Sequence, residues 1–160
     1  MKVFIGIDNG CSGSIGIIAE DNIRLFKTPV KSELSYTKVK QYITRIDFDK
    51  LNELFDEYKD DEVSILVERP LVNPTRFKAT ISGTRSLEAT LIVIEQHKFR
   101  YKYIDSKEWQ KELLPAGLKG IELKHASLDI GKRLFPNLDF KKLKDADGIL
   151  IAEYLKRKEQ

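Results

Sequence analysis

The stretch that decides the fold is Lys2-Val-Phe-Ile-Gly-Ile-Asp8, followed directly by Asn-Gly-Cys-Ser-Gly-Ser-Ile-Gly-Ile-Ile18. An apolar, β-branched run of this kind predicts a strand, and Asn9-Gly10 with Gly13 predicts the turn into a second strand from Ser14 to Ala19. Asp8 thereby stands at a strand end, where a buried sheet otherwise favours an apolar side chain. A surface turn accounts for Asn9-Gly10 equally well, so the significance of Asp8 rests on whether further acids return to the same place.

Working outward, Glu20-Asp-Asn22 reads as a polar turn and Ile23–Phe26 as a third strand, which predicts an antiparallel meander. The segment from Thr28 to Arg45, with Pro29, several lysines and mixed periodicity, is expected to be a loop. Asp47 suits an N-cap, and Leu51, Leu54, Phe55 and Tyr58 recur at helical spacing, predicting a helix that ends near Asp60-Asp61. Val63-Ser-Ile-Leu-Val-Glu68 is a second strand that closes on an acid, and Pro70 marks its exit by favouring extended conformations in the residue before it. A basic loop is expected from Arg69 to Ser82, in which Arg76 and Lys78 are candidate phosphate contacts. A helix is expected from Gly83 to His97, with an apolar stripe through Leu87, Leu91 and Ile94 that serves the core or a dimer surface.

Arg100–Ile104 predicts a short strand, Asp105 or Ser106 a cap, and Lys107–Leu113 a short helix in which Trp109 is an anchor to the core or, alternatively, a platform for an unpaired base. A longer helix follows from Ile121 to Leu134. The final helix begins at Lys144-Asp-Ala-Asp147, carries its apolar surface from Ile149 to Leu155, and gives way to a charged tail from Lys156. Strands and helices thus interleave in one α/β domain spanning residues 1–160, a length that supports one sizeable core.

Composition narrows the function less than the motifs do. Hydrophobic content of 41% and charged content of 33% describe a soluble globular chain, and a formal charge of +3 is too small to demand a nucleic-acid partner. One cysteine, Cys11, excludes an intrachain disulfide framework. His97 and His125 lack the neighbouring ligands of a zinc motif. Neither a secretory leader nor a membrane-length apolar run is evident, which sets the expectation of a cytoplasmic protein, in the host cell if the chain is phage-derived.

Asp8 and Glu68 at strand ends and Asp147 at a helix start form a pattern that can converge on one concave site. Hard carboxylate oxygens suit Mg²⁺, with Mn²⁺ as a substitute, and two such ions roughly 4 Å apart catalyse phosphodiester hydrolysis in many nucleases. Asp145 stays open between metal ligand and helix cap, because residues two apart do not share a helical face.

Phe4-Ile-Gly-Ile-Asp8 with its Gly-rich turn, Leu66-Val-Glu68-Arg-Pro70, and Lys144-Asp-Ala-Asp-Gly-Ile-Leu-Ile-Ala152 together resemble the RuvC-like Holliday-junction resolvases, in particular the compact phage-type branch. Asp105-Ser-Lys-Glu-Trp109 and Arg133-Leu-Phe-Pro136 also resemble that branch. The resemblance implies a ribonuclease-H-like mixed sheet flanked by helices, two divalent ions held by Asp8, Glu68, Asp147 and, as a fourth candidate, Asp145, and a homodimer that makes paired cuts in four-way DNA. It implies DNA contacts along the region of Lys107, Lys111, Lys119 and Lys124. In the common bacterial pattern an acid stands three residues before the terminal one; here that position is Lys144, which leaves the fourth ligand open and suits Lys144 to a phosphate or leaving group. No organic cofactor and no membrane are expected. The competing readings are a broader branched-DNA endonuclease acting on forks and flaps, a catalytically weak nucleic-acid-binding protein of the same fold, and an actin-like ATPase, which the short chain disfavours.

Overall fold

The computed structural model describes residues 1–160. Its central sheet has five strands in the order β3-β2-β1-β6-β7: β1 (Lys2–Asp8), β2 (Ser14–Ala19), β3 (Asn22–Lys27), β6 (Glu62–Glu68) and β7 (Arg100–Ile104). The meander β1–β3 is antiparallel, whereas β1–β6 and β6–β7 are parallel. The mixed α/β sheet flanked by helices is the architecture the sequence implied.

Strand alternation divides the core in two. On one face, Val3, Ile5 and Ile7 join Ile15, Ile17, Ile65 and Val67 beneath α1 (Phe48–Asp56) and α2 (Phe77–Gln96). On the other, Phe4, Ile18, Leu66 and Ile104 pack against α5 (Asp147–Glu159), with α3 (Ser106–Leu113) and α4 (Ile121–Leu134) outside it. Each of the parallel strands β1 and β6 is buried from its second residue to its penultimate one, as a strand covered on both faces must be. No helix is long and apolar enough to cross a membrane.

Two glycines let α5 lie directly on the sheet. Gly6 and Gly16 are cross-strand partners on the α5 face, and a Cβ on either would collide with α5 backbone, at Gly148 and Ala152 from Gly6 and at Ile149 from Gly16. Ser14 Oγ accepts the Gly148 N–H at 3.0 Å, tying the first turn of α5 to the start of β2.

Several boundaries differ from the sequence expectation. The segment expected as a loop from Thr28 to Arg45 contains a separate two-stranded ribbon, β4 (Val30–Leu34) and β5 (Tyr42–Ile46). Its charges hid it: Glu33 pairs with Arg45 across the two strands at 2.6 Å and with Lys31 on its own strand at 2.8 Å, so residues that look loop-like in sequence satisfy one another in the ribbon. Helix α2 begins at Phe77, six residues before Gly83, because Asn73 and Thr80 build its approach: Thr80 Oγ1 accepts from Asn73 N at 3.1 Å and donates to Asn73 O at 2.9 Å. Helix α1 stops at Asp56, and Tyr58 is buried from the turn that follows. Asp47 caps it as expected, its carboxylate accepting from Lys50 N at 3.2 Å. Helix α5 runs on through the basic tail to Glu159, where Arg157 pairs with Glu153 and Lys158 with Glu112.

Candidate metal centre

Strand parity decides which side chains meet. Asp8 lies on the same face of β1 as Phe4 and Gly6, and Glu68 on the same face of β6 as Leu66; with Ile7 in register with Val67, the two acids end neighbouring parallel strands on the α5 side. Helix α5 starts at Asp147 and is pressed onto this face by Gly6 and Gly16, so its first residue arrives above Asp8. Asp145 precedes the helix in irregular backbone, as its spacing from Asp147 required, and it is buried, 3% exposed.

Asp8, Asp145 and Asp147 each present a carboxylate oxygen within 4.8 Å of the others. Glu68 stands beside this triad and is held from behind: its Oε2 accepts the Trp109 Nε1–H at 2.7 Å. Trp109 is fully buried, so it anchors α3 in the core and offers no face to a base. Asp145 does act as a local cap, its Oδ1 accepting from Asp147 N at 3.1 Å, and its place in the triad leaves both roles available to it.

Burial, and then the charge of neighbouring acids, raise three of these carboxyls, Asp8, Glu68 and Asp147. Burial first, then Glu68, Asp147 and Asp145, push the Asp8 carboxyl well above the usual range, against the pull of Lys144. Burial raises Glu68 to about 7 despite the Trp109 hydrogen bond, with Asp147 and Asp145 adding to the rise. Asp147 is raised to about 6 by burial and by Asp145, opposed by the Ser127 hydrogen bond and by Lys124 and Lys144. Carboxylates gathered out of water repel one another unless a cation joins them.

Ser127 went unremarked in the sequence and is central here. It is fully buried on α4, its Oγ donates to Asp147 Oδ1 and accepts from Ala146 N at 2.9 Å. Gly131, one turn on, lets α4 approach this segment closely, since a Cβ there would strike that of Ala146. No local pattern marks a single serine in an amphipathic helix as the partner of an acid twenty residues away.

The expected cationic residues fall in four places. Lys144 lines a pocket with Asp145, Ser12 and Ser14, and shares it with Lys27 and Lys142, two lysines the sequence reading did not single out. Lys124, half-buried on α4, acts electrostatically on Asp147. Arg76 lines a second groove with Asn9, Thr44, Asn73 and Gly83, where Asn9 Nδ2 donates to Gly83 O at 3.0 Å; Lys78 lies one turn-start further along, beside Tyr36 and Phe77. Lys107, Lys111 and Lys119 are solvent-exposed on α3 and ahead of α4. Asp105 occupies the N-cap position of α3 without a side-chain cap bond and instead faces Arg69 at 3.3 Å.

No family model and no curated protein matches the sequence. Among solved structures, Thermus thermophilus RuvC in complex with a Holliday junction substrate superposes with a TM-score of 0.64 at 13% identity, covering 99% of this chain and 96% of that one. A second Thermus thermophilus RuvC structure gives a TM-score of 0.61 at 14% identity, covering 98% of this chain and 96% of that one. At such identities the likeness is one of fold. The chain therefore has the RuvC-type, ribonuclease-H-like fold, with a cluster of carboxylates, Asp145 buried and the others half-buried, where its first strand meets its last helix.

Proposed function

We propose that this protein is a divalent-metal-dependent endonuclease that cuts branched DNA, with the four-way junction as its principal substrate. The observation that carries the reading is the triad Asp8, Asp145 and Asp147 within 4.8 Å of one another, with Glu68 alongside, on a RuvC-type fold. The donor set fits Mg²⁺ or Mn²⁺: it is all hard oxygen, and the raised protonation of Asp8, Glu68 and Asp147 is the electrostatic deficit a cation would fill.

In this reading Asp8, Asp145, Asp147 and Glu68 hold two ions per site. Bound divalent ions supply Lewis acidity that activates water and stabilises the leaving oxygen of a phosphodiester. Around them, the chain's own groups position and neutralise. Trp109 fixes the Glu68 carboxylate, Ser127 fixes Asp147, and the helix-start location of Asp147 brings backbone N–H groups toward the negative cluster. Lys144, with Lys27 and Lys142, offers charge to phosphate oxygens beside Asp145, and Arg76 does so on the opposite side of the loop after Asp8. Contacts of this kind set register on the backbone without reading bases. Paired cuts on opposing strands require two sites in a fixed relation, which a homodimer with twofold symmetry provides.

The test is cleavage of a four-way junction, a fork, a flap and a linear duplex in Mg²⁺, with strand-specific mapping of products. Symmetric paired cuts on the junction support resolution. Single cuts spread over forks and flaps would favour the broader branched-DNA nuclease, and metal-independent binding without cuts would favour a binding protein.

A further inference from the structure

The ribbon β4–β5 forms a sheet separate from the central one, and its tip is braced by hydrogen bonds around a buried serine. One polar residue is turned inward: Ser35 is 5% exposed, its N–H donates to Gln41 O at 2.8 Å, and its hydroxyl meets Thr37 Oγ1 at 2.7 Å. Thr37 Oγ1 donates in turn to Val39 O at 2.8 Å, and Lys40 Nζ donates to Ser35 O at 3.2 Å. The apolar groups are turned outward: Tyr36 is 91% exposed and Val39 is 80% exposed. A short loop that spends its hydrogen bonds on holding a tyrosine and a valine in water is preorganised to present them.

Charge indicates what they meet. At the base of the ribbon Lys31 and Arg45 share one carboxylate, Glu33, whereas the tip from Ser35 to Gln41 contains Lys38 and Lys40 and no acid. Its root is closed by Asp47 N donating to Pro29 O at 2.9 Å and is fastened to the loop that follows Asp8, where Thr28 N donates to Gly13 O at 3.1 Å and Cys11 Sγ to Thr44 O at 3.5 Å. The ribbon therefore rises from the same edge of the sheet as the carboxylates. An exposed aromatic flanked by cations is the combination that stacks on an unpaired base while holding the adjoining phosphates.

We infer that the β4–β5 tip is a branch-recognition wedge: Tyr36 and Val39 pack against bases left unstacked at the branch point, and Lys38 and Lys40 contact the flanking phosphates. The inference rests on the nuclease reading above and assigns it the element that distinguishes branched from linear DNA.

The test uses a four-way junction carrying 2-aminopurine at the branch point, bound in Ca²⁺ so that affinity and fluorescence are read without turnover. The wild-type chain should change the 2-aminopurine signal. The double variant Tyr36→Ala/Val39→Ala should lose that change and bind the junction about tenfold more weakly or worse, on the scale of one or two lost base stacks, while its affinity for linear duplex and its melting temperature stay at the wild-type values. Tyr36→Phe should retain the signal, since stacking needs the ring and not the hydroxyl. Lys38→Ala/Lys40→Ala should reduce the salt dependence of log K for the junction by about 2 and leave that for linear duplex unchanged. Wild-type junction affinity and signal in Tyr36→Ala/Val39→Ala, in a chain that cuts branched DNA, would overturn the wedge and leave the nuclease reading intact. A wild-type chain that neither binds nor cuts branched DNA would remove both. A shift from dimer to monomer on sedimentation of that double variant would show that the tip contacts a second copy, and would also overturn the proposal.

Discussion

Trp109 donates its indole N–H to Glu68 across 2.7 Å, so the one tryptophan of the chain is bonded to an acid at the edge of the carboxylate cluster. Cation binding that draws the Glu68 carboxylate forward alters the polarity around the indole. Titrating Mg²⁺ into the metal-free protein should therefore shift or quench tryptophan emission saturably. Asp8→Asn should weaken the titration, and Trp109→Phe should remove it while costing about 1–3 kcal/mol in stability, through the lost hydrogen bond and the space left in the core.

Asp8→Asn separates activity from stability. Its neutral amide cannot supply a carboxylate's charge to a cation, so Mg²⁺-dependent cleavage should fall by at least about a hundredfold, the scale of losing a group that acts mainly in the transition state. In chelator the same variant should resist denaturant better than wild type, because it removes a carboxyl that burial and the neighbouring acids Glu68, Asp147 and Asp145 hold well above its usual range. Unchanged cleavage with lowered stability would show Asp8 to be a structural residue.

The raised carboxyls fix the sign of the pH dependence. Glu68 goes from an ordinary 4.5 to about 7 in the folded chain, and Asp147 from 3.8 to about 6. The folded state therefore binds more protons than the unfolded state between those values, and metal-free stability should fall as pH rises from the usual carboxylate range through about 7. Mg²⁺ should reverse the trend by favouring the ionised acids. Thermal melts across that range with and without the cation check both statements; a metal-free protein whose stability rose over the interval would contradict the assigned shifts.

Gly16→Ala tests how the site is assembled. The added Cβ meets α5 backbone at Ile149, which has no flexible side-chain end to yield, so α5 must lift from the sheet and carry Asp147 with it. A loss on the order of 3 kcal/mol is expected from such overpacking, together with loss of the Mg²⁺-induced stabilisation. Gly10→Ala, in a turn with φ of 123° and open space around the Cα, should cost stability through backbone strain while leaving α5 in place.

Ser127→Ala removes the donor to Asp147 and the acceptor for Ala146 N together. A buried N–H left without a partner costs about 1–3 kcal/mol, and Asp147, without its hydrogen bond, should titrate higher still. The measurable consequence is a weaker apparent affinity for Mg²⁺, read from the tryptophan titration, that recovers at higher pH. Ser127→Thr should largely restore it.

The strands of the central sheet were legible in the sequence because covered strands carry near-continuous apolar runs and end at acids or turns, as Lys2–Asp8 and Glu62–Glu68 do. The closing helix was legible through its apolar surface. The β4–β5 ribbon was not, since its stability comes from pairs such as Glu33 with Arg45 that only the hairpin register creates. The early start of α2 at Phe77 was obscured because its first turn is exposed and has no apolar stripe.

The sequence by itself determined which acids were worth following, because a carboxylate at the end of an apolar strand is costly unless something uses it. Their common face came from the structure: the parallel register of β1 and β6 puts Asp8 and Glu68 on one side of the sheet. Only the tertiary structure decided the grouping, bringing Asp145 into a triad with Asp8 and Asp147 and setting Glu68 beside it on Trp109. The reason is physical. The distance between β1 and α5 is set by the absence of side chains at Gly6 and Gly16, and the orientation of Asp147 by a serine on a third element. Neither relation has a period or a spacing along the chain.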